Sequence, residues 1–259
     1  MTPQQPTAAT TTTAAIVIIG NEVLSGKVVD ENTPYLVKEL RGLGVRVARV
    51  VIIPDVPDEI AREVRWASER YTWVFTAGGL GPTHDDVTMA AIAQAFDVAL
   101  EPHPELVARI DALKRGRTGV DSLARLAWVP ANASLYWGDG ERHWPTVQVG
   151  NVTIFPGVPR FLRERFDLMR SLLQSSRFHG RVVCLRVVES SIVTHIDATV
   201  AAFPDVDIGS YPLFPEEREA SEVRTKLTFD SKDEARAEAA ARDLIARLEP
   251  GSVVGIDAT

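Results

Sequence analysis

The stretch Tyr71–Phe96, YTWVFTAGGLGPTHDDVTMAAIAQAF, decides the fold. Its opening, Tyr71–Ala77, is aromatic, β-branched and apolar, as a strand requires. Its end, Val87–Phe96, has the composition of a helix, and the two are joined by a glycine-rich turn. A strand entering a helix through such a turn places the loop at the carboxyl end of the strand, where open parallel sheets bind their ligands.

Upstream, the same alternation repeats. Ala14–Gly20 (AAIVIIG) is apolar at every position, which suits a strand covered on both faces. Asn32–Leu43 carries Leu36, Val37, Leu40 and Leu43 at helical spacing, with Gly44 as its stop. Val45–Ile53 reads as a strand, and Pro57–Arg70 as a helix with proline at its start. The βαβαβα order predicts an α/β three-layer sandwich on a mostly parallel sheet. Downstream, Pro102–Arg125 reads as mostly helical with a break at Arg115–Gly119. Strands follow at Thr146–Val149 and Asn151–Phe155, then Pro156-Gly157 and a helix through Leu173. Ser175–Gly180 reads as a linker.

The remainder has a different rhythm. Strand Arg181–Val188, helix Ser191–Phe203, strands Asp205–Ser210 and Glu222–Phe229, helix Lys232–Leu248 and strand Ser252–Ile256 make a βαββαβ order. That is the order of a ferredoxin-like α+β domain. The expected domains are therefore a leader (1–13), a first domain (14–175) and a smaller second one (181–259). The leader, rich in Thr, Ala, Pro and Gln, has nothing to bury and is expected to be disordered.

The chain has 259 residues, 35 Asp or Glu against 28 Lys or Arg, and a net charge of −7. Such an acidic chain lacks the bulk electrostatics of a nucleic-acid or anionic-membrane binder, so neither partner is expected. Cys184 stands alone, which rules out an intramolecular disulfide and a cysteine-cluster metal site; it reads as a small core residue. No lysine or arginine precedes Lys27, and the apolar run Ala14–Ile19 is far short of the roughly 20 residues of a membrane helix. The expected place is the cytoplasm. His84 lies inside the glycine loop, and the five tryptophans read as core or subunit contacts.

Thr76–Thr88 carries the strongest chemical signal. Gly78, Gly79 and Gly81 let the backbone take positive φ and approach a ligand, and the exposed amides with the first helical N–H groups form an anion cradle. Asp85 and Asp86 stand beside that cradle, where bare carboxylates repel a phosphate. A divalent cation bridging carboxylate and phosphate oxygens resolves the conflict. The structural alternative is that these acids cap the following helix. Gly20–Asn32 (GNEVLSGKVVDEN) leaves a second strand, but Val28 stands where a Walker A loop needs Ser or Thr, so it is not a P-loop. Asn21, Glu22, Asp30 and Asn32 still gather polar groups at the same edge, with Asp30 or Asn32 alternatively an N-cap, and Asp55 leaves a third strand the same way.

Taken together, GNEVLSG, DEN, VPD, TAGGLGPTHDDVT and FPGVP closely resemble the MoCF (MoaB/Mog-type, molybdopterin-binding) domain over residues 14–173, and within it the N-terminal domain of the competence/damage-inducible CinA proteins. ESSIVTHI, IGSYP and KLTFDS in the second domain, with the run Trp144–Val152, resemble the corresponding region of eukaryotic-type FAD synthases. The segment GDGERHWPT (Gly138–Thr146) departs from the GTAPG stretch of CinA-like proteins. Both the amidase domain of full-length CinA and the reductase-like FAD synthase domain are missing from this sequence.

The resemblance implies a homo-oligomer with a pocket at the strand ends. Asp55, Gly78, Gly79, Gly81, Asp85 and Asp86 would be pocket residues, with Thr76, Pro82, Thr83 and Thr88 from the same string. Asn21, Glu22, Gly26 and Asn32 match the first loop, and Pro156 and Gly157 the PG turn. The expected activity is metal-dependent hydrolysis of nucleotide pyrophosphates such as ADP-ribose or FAD. Asp85 or Asp86 would anchor a divalent cation of the Mg²⁺ or Co²⁺ type, with Glu22 a further catalytic acid and Glu22 or Asp55 the candidate base. The alternatives are adenylyl transfer to molybdopterin and a non-catalytic nucleotide sensor.

Overall fold

A computed structural model describes residues 12–83, 85–114, 121–138, 144–214 and 222–258. The chain divides into two units, residues 1–175 and 176–259.

The first unit opens with β1 (Thr13–Ile19), a short helix α1 (Asn21–Leu24), α2 (Asn32–Gly42), β2 (Arg46–Ile53), α3 (Pro57–Ser68), β3 (Trp73–Ala77) and α4 (Thr88–Ala95). It continues through β4 (Leu100–Pro102), α5 (Pro104–Lys114), β5 (Trp128–Pro130), β6 (Ser134–Tyr136), β7 (Thr146–Val149), β8 (Val152–Phe155) and α6 (Pro159–Met169). The main sheet has the order β2-β1-β3-β8-β7-β6. Its first four strands run parallel, and at the far side the β8–β7 and β7–β6 pairings are antiparallel, so β7 alone is reversed in this sheet.

The uninterrupted apolar character of β1 has a direct cause. Alternate side chains enter opposite layers. Ala15, Val17 and Ile19 join Ile60, Val64, Ile92 and Leu106 in one core, while Ala14, Ile16 and Ile18 join Leu36, Leu40, Phe155 and Phe166 in the other. Strand β2 lies at the sheet edge and shows alternating exposure instead. Helices therefore cover both faces, as the βαβαβα order predicts.

The second unit contains β9 (His179–Leu185), α7 (Val193–Ala202), β10 (Asp207–Pro212), β11 (Thr225–Ser231), α8 (Glu234–Arg247) and β12 (Val253–Ala258). Its antiparallel sheet has the order β10-β11-β9-β12, the ferredoxin-like arrangement. Val183, Leu185, Leu227 and Phe229 pack with Ala240, Ala241 and Leu244 of α8 on one face.

Three expectations need correction. Thr13 belongs to β1 rather than to a leader, because it pairs with Arg46; residues 1–11 lie outside the described residues. His179 and Gly180 open β9 instead of lying in a linker, since they pair with Ser231 and Asp230. Cys184 is half-buried rather than core, because the strand alternation points it away from the face that packs on α8. Among the described residues, no helix is long and apolar enough to cross a membrane.

Candidate functional site

The site begins where β1 and β3 end side by side. The β1–α2–β2 crossover runs one way and β3 pairs on the other side of β1, so the strand order reverses between them, the position at which open α/β sheets form a crevice. Gly78 and Gly79 leave β3 with φ of 112° and 61°, in the left-handed region. A Cβ on Gly78 would lie 1.9 Å from the Ile19 carbonyl oxygen, so the loop crosses directly over the end of β1.

Thr88, the buried first residue of α4, fixes this loop. Its hydroxyl donates to the Gly78 carbonyl at 2.9 Å, and its N–H donates to the Gly79 carbonyl at 3.2 Å. Asp86 fixes the turn that follows. Its Oδ2 accepts the Thr83 N–H at 2.8 Å and the Thr83 hydroxyl at 2.5 Å. Arg125 donates to the Thr83 carbonyl at 3.4 Å from the far side.

The capping alternative for Asp86 is therefore not what the structure adopts: α4 receives no side-chain cap among the described residues, and the carboxylate reaches back into the loop. Its Oδ1 accepts no hydrogen bond among the described residues. The backbone carbonyl of Asp85 accepts the Val87 N–H at 2.9 Å. His84 lies outside the described residues.

The first loop is joined to the same edge by two hydrogen bonds. Asp55 Oδ2 accepts the Asn21 N–H at 2.8 Å, tying the ends of β2 and β1 together. Asn32 Nδ2 donates to the Gly157 carbonyl at 2.7 Å, tying the loop to the PG turn after β8. A Cβ on Gly157 would lie 3.3 Å from the Gly78 Cα, so the PG turn rests against the glycine loop. Among the described residues, Asn32 Oδ1 is buried without a hydrogen-bond partner, as is Thr76 Oγ1. Asp30 accepts the N–H groups of Asn32 and Thr33 at 2.9 and 3.0 Å, the capping role.

A cavity of about 490 Å³ opens beside the glycine loop. Of the residues chosen from sequence, Gly79, Gly81, Pro82, Asp86 and Pro156 line it. Glu22 and Asp55 do not. Glu22 folds over Gly20, where an added Cβ would meet its carboxylate at 2.6 Å, and Asp55 is engaged with Asn21. Asn21, Gly26, Asn32, Thr76, Gly78, Thr83, Asp85, Thr88 and Gly157 also lie outside that lining; several of them shape the loop that forms it. The sequence reading missed Met89, Arg125, Trp128, Trp144, Phe161 and Arg165, which complete the walls. Trp144 does fall in the run noted for its FAD synthase likeness, and Arg165 interrupts the apolar stripe Leu162–Phe166–Met169 of α6. Trp128 carries no such signal.

Among the described residues, no three of His, Cys, Asp and Glu are grouped to hold a metal. A closed, all-protein centre does not match this donor set. A hard cation that keeps its waters and takes phosphate oxygens needs only one or two carboxylates, which Asp86 with its neighbour Asp85 can supply.

Comparison with known proteins bears on this geometry. Residues 15–174 match the family described as a probable molybdopterin binding domain, and residues 177–257 match the middle domain of FAD synthase. A probable FAD synthase of Caenorhabditis elegans is 33% identical over 98% of this chain, which spans 52% of that protein. A CinA-like protein of Anaeromyxobacter dehalogenans is 30% identical over 93% of this chain and 60% of its own. The crystal structure of the protein CinA from Thermoplasma acidophilum, of unknown function, superposes with a TM-score of 0.57 at 28% identity, over 64% of this chain and 99% of that one.

Proposed function

Because the chain belongs to the molybdopterin-binding domain family, with an FAD synthase middle domain following it, we propose that it hydrolyses nucleotide pyrophosphates of the ADP-ribose or FAD type at the cavity beside Gly78–Gly81. The observation that carries this reading is Asp86, which lines the cavity and whose carboxylate lies against the glycine-loop backbone at Gly81. The amides around Gly79 and Gly81 hold phosphate oxygens, and Thr88 keeps that backbone in place. Asp86, with Asp85, would hold a Mg²⁺- or Co²⁺-type cation. When bound, such a cation neutralises the pyrophosphate and polarises its phosphoryl oxygen. Thr83, held by Asp86 and Arg125, keeps the carboxylate oriented toward the ligand. Hydrolysis consumes one water, breaks the bridging P–O bond and releases AMP.

A second reading, adenylyl transfer to a pterin or flavin, is favoured by the names of the relatives alone. It requires ATP and makes pyrophosphate, so the two separate cleanly by product. In the deciding experiment the purified chain is incubated with ADP-ribose or FAD, with Mg²⁺, with Co²⁺ and with EDTA. The expected result is AMP release that EDTA abolishes. Absence of AMP under every metal overturns the proposal.

A further inference from the structure

Among the described residues, the charged side chains lining the cavity are Asp86, Arg125 and Arg165. Asp86 and Arg125 are both engaged with Thr83. Arg165 is left over. It lies on α6 one helical turn after Phe161, so the two side chains share a face. Its carbonyl accepts the Thr146 hydroxyl at 3.2 Å, which holds this turn against β7. Its guanidinium forms no hydrogen bond and no ion pair among the described residues. The adjacent acid, Glu164, is bonded instead to Arg160 at 3.0 Å. Burial pulls the Arg165 pKa down to about 10, so the group stays charged at neutral pH while losing hydration.

A guanidinium stripped of water is destabilising until an anion pairs with it. Its planar fork offers donors only, and it fits the oxygens of a phosphate or carboxylate two at a time. The pyrophosphate does not need it. That diester carries two charges, which a divalent cation cancels, and the glycine-loop amides supply its hydrogen bonds. Arg165 enters from α6, an element separate from the loop that carries Gly79, Gly81 and Asp86. On a nucleotide, the oxyanion available apart from the 5′-pyrophosphate is a phosphomonoester on a ribose hydroxyl. Such a group carries close to two charges at neutral pH.

We propose that Arg165 forms a second anion subsite in this cavity, binding a phosphomonoester on the ribose of a nucleotide whose pyrophosphate lies at the glycine loop. The inference rests on the reading above and narrows its substrate class. A nucleotide pyrophosphate with a 2′- or 3′-phosphate is preferred to ADP-ribose or FAD, which lack one.

The test uses the full chain in EDTA with AMP, ADP and the 2′,5′- and 3′,5′-bisphosphates of adenosine. Calorimetry should show one bisphosphate binding at least about tenfold more tightly than AMP, and which one leads identifies the ribose position. Arg165→Met should bring that ligand to within about twofold of AMP, while AMP and ADP stay within about twofold of their parent values. Arg165→Gln, which keeps a polar tip, should do the same. Arg160→Met, which removes an exposed arginine from the same helix, should leave the preference intact. Melting midpoints at or above the parent's show that the Arg165 variants are folded, since an unpaired cation has been removed. Bisphosphates that bind no more tightly than AMP, or a preference that survives Arg165→Met, overturn the proposal. So does a variant that weakens ADP as much as the bisphosphate, because Arg165 would then serve the pyrophosphate. The preference is read without turnover, so a chain that shows it but releases no AMP with Mg²⁺ or Co²⁺ fails the hydrolase reading alone.

Discussion

At the scale of single residues, the loop is held by positions where only hydrogen fits. Gly78 and Gly26 both have positive φ, but their surroundings differ. An added Cβ meets the backbone oxygen of Ile19 at 1.9 Å in the first case and nothing within 4 Å in the second. Gly26→Ala should therefore cost about 1–2 kcal/mol, the left-handed penalty alone. Gly78→Ala should cost about 3 kcal/mol or more, because β1 cannot move aside, and urea unfolding of the two variants checks the contrast. Asp86→Asn keeps an acceptor for Thr83 but removes the charge. AMP release should fall on the order of 100-fold while the unfolding midpoint stays close to the parent's. The motif was legible because Gly, Asp and Thr are constrained by local geometry. Arg165, Trp128 and Phe161 were not, since their importance arises only when α6 and β5 bring them to one cavity.

At the scale of elements, long apolar or periodic segments were readable and short ones were not. The strand β1 declared itself because both its faces are buried. Strands β4, β5 and β6 have three residues each, too few to show a period, and exist through pairing with β5, β4 and β7. The four-residue α1 is likewise too short to show a helical period. In the second unit, α7 and α8 are joined through Asp243, which accepts from Arg247 at 2.7 Å and from the buried Thr199 hydroxyl at 2.9 Å. These bonds, chiefly that of Arg247, hold the Asp243 carboxyl below its usual range. Asp205 is lowered chiefly by Arg236, and Glu234 and Glu238 chiefly by Arg181. A depressed folded-state pKa stabilises fully above the unfolded value, near pH 4, and the contribution disappears as pH falls through the folded one. Calorimetric melting of the second unit should therefore hold level from about pH 7 to pH 5 and fall below about pH 4. Asp243→Asn should lower the plateau and make the acid decline shallower.

At the scale of the whole molecule, the two units carry different kinds of information. The second shows its fold in its element order but exposes no comparable constellation in sequence. The first gathers the ends of β1, β2, β3 and β8 at one edge, linked by Asp55 to Asn21 and by Asn32 to Gly157. Neither link could be inferred from spacing, because each joins residues far apart in the chain. The central claim is that Asp86 and the glycine-loop amides act together on a pyrophosphate. A crystal structure of the full chain with ADP-ribose and Mg²⁺ tests it most directly. The account predicts phosphate oxygens within hydrogen-bond reach of the Gly79 and Gly81 region and a cation between them and the Asp86 carboxylate. A vacant cavity at saturating ligand, with Asp86 engaged by Thr83 alone, would contradict it.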